Sequence, residues 1–140
     1  MTMDQTEELT SLLVEFYERF SSWEQGVVRE SGITLPQMHT LEVLGVAGDL
    51  RMKELAEKLG VTTGALTVLV DRLERAGLVA RKPNERDRRS IQVGLTVDGR
   101  RYFEEHHKLH CQLSEDIAAA LAPEEAPVFM HMLRRIITRL

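Results

Sequence analysis

The sequence predicts a mainly α fold with one small β-hairpin, and three observations carry that expectation. Apolar residues recur at helical spacing near both ends of the chain. A short helix and a longer one are joined by only a few residues, a glycine among them. An arginine-rich turn then joins two short apolar runs directly after the longer helix. Together these describe a winged helix-turn-helix, with the hairpin as a β wing and the N- and C-terminal helices left to pair two copies.

The first helix follows from Leu9, Leu12, Leu13, Phe16, Phe20, Trp23 and Val27, which form one amphipathic stripe ended by Gly32. Thr34-Leu-Pro-Gln37 is a capping-box start for the next helix, which carries Leu41, Val43 and Leu44 and stops near Gly48. Lys53 to Leu59 is a short helix closed by Gly60, and Val61-Thr62-Thr63 caps a longer helix running through Ala76. In that longer helix Leu66, Leu69, Val70 and Leu73 fall on the buried stripe, while Thr63, Thr67 and Asp71 fall opposite. Leu78-Val79-Ala80 and Ser90 to Leu95 read as strands around a tip at Arg81 to Arg89. From Thr96 the chain turns helical to about Leu121, and Pro123-Glu124-Glu125 starts the last helix. Val128, Phe129, Met132, Leu133, Ile136, Ile137 and Leu140 cover more than one narrow stripe of it. Such a short helix has few internal partners, so pairing with a second subunit is the economical expectation.

A length of 140 residues suits one domain, 1–140. Within it, about 1–32 and 98–140 are expected to be dimerisation helices, and about 34–97 the winged lobe. A hydrophobic content of 43% supports a packed interior, and no apolar run approaches a membrane span, so no membrane partner is expected. The polar, acidic start from Met1 to Glu8 is unlike a secretion signal, and the lone Cys111 points to a reducing compartment. The expected location is cytoplasmic. Net charge is −4, yet Arg72 to Arg101 holds nine bases against four acids, a local +5. A basic segment on an acidic body is the pattern of a face made for a polyanion.

An α-helix fits the major groove of duplex DNA, where its N-terminal side chains meet base edges. The expected contacts there are Thr62, Thr63, Gly64, Thr67 and Val68, small residues that allow close approach, with Arg72 further along. The wing adds Arg86, Asp87, Arg88 and Arg89, since a narrow minor groove attracts guanidinium groups. Asp87 either fixes the fork of Arg89 through a charge-assisted pair or simply ties the hairpin together, and both can hold at once. A winged-helix module that docks protein instead of DNA is the alternative, and the arginines at the tip favour DNA. A hydrolase using Cys111 and a neighbouring histidine lacks an orienting group or an oxyanion arrangement, so no enzyme is expected.

The runs Leu55 to Val61 and Leu66 to Arg81 strongly resemble the MarR family of regulators. Asp87-Arg88-Arg89-Ser90, then Val93 to Thr96 and Gly99, is similar to that family's wing signature, and the resemblance extends over nearly the whole chain. It implies a two-fold dimer held by the first and last helices, reading a near-palindromic duplex and releasing it when an effector binds. It implies repression in most cases, and no catalysis. Members often carry a basic residue where this chain has Val68, which shifts base readout toward hydroxyl and methyl contacts.

A second cluster, Glu105 to Cys111, bears on the effector. His106 and His110 are one helical turn apart, as are His107 and Cys111, and an i, i+4 histidine pair is sound chelating geometry for zinc. His39 is the candidate third ligand. The arrangement resembles the zinc-sensing branch of the family, which would place its remaining carboxylate near Ser21, with Glu24 almost a turn away. Histidines at these positions also resemble a branch controlling fatty-acid synthesis, whose ligand is an acyl chain. Histidines that only hydrogen-bond between helices are the third option. No cofactor is required, and the effector, metal or small molecule, is left open at this point. Oxidation of Cys111 has weak support, because nearby lysine or neutral histidine stabilises a thiolate poorly.

Overall fold

The computed structural model describes every residue except Arg88. In order, its elements are α1 (Met3–Ser31), α2 (Leu35–Ala47), β1 (Leu50–Arg51), α3 (Met52–Leu59), α4 (Thr63–Arg75), β2 (Val79–Pro83), β3 (Ile91–Leu95), α5 (Val97–Ala119) and α6 (Glu125–Ile137). The chain divides into two compact units, Met1–His106 and His107–Leu140, with the division falling inside α5.

Helix starts in the first unit follow local chemistry. The Thr34 hydroxyl accepts from the Gln37 backbone N–H at 3.3 Å, and the Gln37 side chain accepts from the Thr34 N–H at 2.9 Å. Two of the backbone donors that a helix N-terminus leaves unpaired are thereby satisfied. Thr2 and Gln5 make the same reciprocal box, so α1 begins well before its first stripe residue, Leu9. Gly60 closes α3 at φ +67°, a left-handed geometry that costs a residue with a Cβ far more than glycine.

The three strands form an antiparallel sheet in the order β1-β3-β2, with β2 and β3 paired from Val79↔Leu95 to Pro83↔Ile91. Two features differ from the sequence expectation. β1, two residues long, pairs Leu50 with Val93 and Arg51 with Gln92, and so short a segment carries no readable period. β2 continues through Arg81, Lys82 and Pro83, which the sequence assigned to the tip. Their charge marks them as exposed rather than unpaired, and Pro83 fits because it is the last residue of an edge strand.

The core of this unit is one apolar cluster. Leu41 and Leu44 of α2, Leu55 of α3, and Leu66, Val70 and Leu73 of α4 are buried together with Val79 and Val93 of the sheet. Fully burying a side chain of this size contributes about 1.5–3 kcal/mol, so the cluster is what holds α4 and the hairpin in register. Leu69, expected in the buried stripe, is only partly covered. Where α5 begins, a Cβ at Gly99 would come within 1.9 Å of the Leu78 carbonyl oxygen. Glycine therefore lets α5 start directly against the end of the hairpin.

Val28 of α1 is buried in this core and Val27 packs against it, but many other apolar residues of the terminal helices stay exposed. On α1, Leu12, Leu13 and Phe16 are each more than half exposed. The second unit consists of the later part of α5 and all of α6, and α6 buries none of its residues. Val128, Met132, Leu133, Ile136 and Ile137 are all open. Among the described residues, no helix is long and apolar enough to cross a membrane.

Candidate nucleic-acid interface

The start of α4 is built to present backbone rather than bulk. Thr62 caps the helix, its hydroxyl accepting from the Ala65 N–H at 3.1 Å. Thr67 donates its hydroxyl proton back to the Thr63 carbonyl at 2.8 Å, leaving lone pairs and a methyl group outward. Thr62, Thr63, Gly64, Thr67 and Val68 are all exposed. At Gly64 an added Cβ would meet nothing closer than the Thr62 hydroxyl at 4.0 Å, so nothing inside the fold demands glycine there. The missing side chain lowers the outer surface instead. Unpaired N–H groups and the positive end of the helix dipole make this an anion-accepting end.

The wing tip is ordered by two aspartate- and asparagine-type turns. The Asn84 side-chain oxygen accepts from the Arg86 N–H at 3.0 Å, and Asp87 Oδ1 accepts from the Arg89 N–H at 3.0 Å. Asn84 N–H to Ser90 O at 2.9 Å and Ser90 N–H to Asp87 O at 3.0 Å close the loop. Of the two roles open to Asp87, the structure supports the one that ties the hairpin. Its carboxylate grips the backbone of Arg89, not the guanidinium, because an acceptor two residues back reaches the main chain first. Arg88 lies outside the described residues.

Basic side chains in the +5 segment divide into two sets. Arg81 is held by Asp71 and Glu74, Lys82 by Asp49 at 2.7 Å, and Arg101 by Asp98 at 2.9 Å. Arg72, Arg86 and Arg89 are exposed and, among the described residues, make no ion pair. Arg75 of α4 and Arg100 of α5 are likewise exposed without an ion pair among the described residues, so uncommitted charge lies on α4, at the tip and at the start of α5.

The histidines fall into separate pairs. His39 of α2, expected as a metal ligand beside His106, is instead engaged through Nε2 by Glu24 of α1. Glu24 reaches it because α1 and α2 are packed together, a relation that sequence spacing does not contain. His106 of α5 is almost wholly buried, and its Nε2 meets the carboxylate of Glu42. Glu42, which sequence reasoning missed, sits one turn after His39 on α2. An i, i+3 reading from His39 would have marked it. His110 follows His106 by one turn of α5 and lies in the second unit. Cys111 is exposed, with its sulfur 3.6 Å from His107 Nε2 on the same helix.

This arrangement matches known proteins. The MarR family model covers residues 33–91, from the turn before α2 into the wing. The multiple antibiotic resistance protein MarR of Salmonella typhimurium is 34% identical over 106 residues, covering 75% of this chain and 74% of that protein. The chain belongs to the MarR family. As a MarR-family fold it superposes on the structure of Streptococcus pneumoniae FabT in complex with DNA, with a TM-score of 0.86 and 27% identity. That match covers 95% of each chain. A MarR family protein from Bacillus stearothermophilus gives a TM-score of 0.89 at 29% identity, over 99% of this chain and 97% of that one. Matches to two Bacillus subtilis regulators span only 58% and 50% of their lengths.

Proposed function

We propose that this MarR-family chain is a sequence-specific, double-stranded DNA-binding transcriptional regulator. It acts as a homodimeric repressor on a near-palindromic operator, in the cytoplasm, and catalyses no reaction. One observation carries the reading: the open N-terminal end of α4 and the exposed arginines of the wing, Arg86 and Arg89, which make no ion pair among the described residues, belong to one lobe. A helix end that accepts anions suits the major groove, and guanidinium groups suit the minor groove beside it. Relatives named as transcriptional regulators, and a superposable neighbour solved on DNA, support the same reading. The exposed apolar residues of α1 and α6 support the dimer, since patches of that kind seldom stay open to water.

The test is selection of bound duplex from a random pool by the full chain, followed by titration at several salt concentrations. A near-palindromic consensus whose affinity falls steeply with salt is expected. Failure to enrich any duplex overturns the reading.

We propose zinc as the effector. Neutral imidazole and carboxylate are donors that suit it, and the ligands proposed are Glu42 and His106, with His110 one turn along α5. The ion would link α2 to α5 and so bear on the lobe that α2 supports. Metal content of the purified chain, beside the His106→Ala/His110→Ala variant, decides it. Equal and negligible zinc in both after supplementation removes the metal, and a long-chain acyl ligand then becomes the effector to titrate.

A further inference from the structure

Arg81 sits in the middle of the basic segment but does not face outward. One guanidinium nitrogen lies 2.7 Å from Asp71 Oδ1 and the other 3.0 Å from Glu74 Oε1. The second oxygen of Glu74 accepts from the Arg81 backbone N–H at 3.0 Å. A single residue of β2 is thus tied three times to α4. Both acids belong to the helix that the proposed function places in the groove. Asp71 continues the line of Thr63 and Thr67, two turns and one turn beyond them, on the face opposite the buried stripe. Two free carboxylates on that helix would repel the phosphates it must approach.

We propose that Arg81 is a positioning residue for DNA binding. It acts by cancelling the charge of Asp71 and Glu74, so that α4 can enter the groove, and not by touching DNA itself. This rests on the DNA-binding reading above. Arg81 keeps its charge throughout the working range. Its pKa is raised by the hydrogen bond to Asp71, against some loss from burial, and then by Glu74. The cancellation acts at hydrogen-bond distance, one guanidinium nitrogen to each acid, so salt screens it less than it screens longer-range attraction to phosphate.

The experiment compares wild type, Arg81→Met, Arg81→Lys and the triple variant Arg81→Met/Asp71→Asn/Glu74→Gln on the selected duplex, with circular dichroism melts to confirm folding. Arg81→Met exposes two carboxylates and should weaken binding roughly tenfold, as misplaced like charge at an interface does. The triple variant removes the repulsion and should return to within about twofold of wild type. Arg81→Lys keeps the positive charge, should bind close to wild type, and keeps the question open to measurement if Arg81→Met folds poorly. A triple variant as weak as Arg81→Met, with a salt slope shallower by about one unit, would make Arg81 a phosphate contact and overturn the proposal. Arg81→Lys as weak as Arg81→Met would overturn it too, in favour of fork geometry. If wild type itself enriches no duplex, the DNA-binding reading falls and takes this one with it. Those failures are distinguishable.

Discussion

The Glu42 carboxylate and the His106 imidazole meet across α2 and α5, with Nε2 2.5 Å from Oε1 and the His106 side chain only 2% exposed. That contact joins a helix of the winged lobe to the helix that continues into the second unit.

Removing the imidazole leaves a carboxylate that is mostly covered and has lost a hydrogen-bonding partner. His106→Ala should therefore lower stability by about 1–3 kcal/mol, read as a shift of the urea midpoint at unchanged slope. Glu42→Gln, which keeps an oxygen facing the ring, should cost less. Equal losses for the two variants would show that the pair contributes through packing alone.

Thr62 serves both the helix cap and the proposed interface. Thr62→Ala should cost about 1 kcal/mol of stability through loss of the cap, and Thr62→Ser should restore most of it. If Thr62→Ser melts no higher than Thr62→Ala, the hydroxyl is not acting as the cap.

At the wing, Arg89→Ala should lose on the order of 1–3 kcal/mol of operator binding. Asp87→Asn, which can still accept from the Arg89 N–H, should keep affinity near wild type, whereas Asp87→Ala should free that amide and speed its hydrogen exchange. An Asp87→Ala chain with unchanged exchange at Arg89 would contradict the turn described above.

Leu73 is fully buried where α4 packs on the sheet, so Leu73→Ala should destabilise the chain by about 2–5 kcal/mol. Thermal and denaturant melts would report it. A loss below about 0.5 kcal/mol, the scale of ordinary surface changes, would mean that α4 is not held by this cluster.

Ile136 is 53% exposed in the single chain. Placing a charge there, as in Ile136→Glu, should shift sedimentation toward monomer and lower operator affinity together, because a symmetric interface repeats the penalty in each copy. A variant that stays dimeric would take α6 out of the interface.

The sequence by itself determined the order of the helices, the Thr34 cap and a cap within Val61-Thr62-Thr63, the glycine stops and the hairpin. Each of these is written in residues no more than a few positions apart, where propensity, capping and period act directly. It also placed the exposed threonines of α4 and the arginines of the tip, because residue type and helical phase suffice for that. Only the tertiary structure decided which charges are spent inside the fold. Arg81 and Arg89 look alike in the chain, yet one is consumed by Asp71 and Glu74 across 10 and 7 residues while the other is exposed and makes no ion pair among the described residues. His39 went to Glu24, and His106 to Glu42 across more than sixty residues, for the same reason. An ion pair forms where packing brings two side chains together, and the core that does the packing is set by distant apolar residues. Spacing along the chain carries no record of that choice.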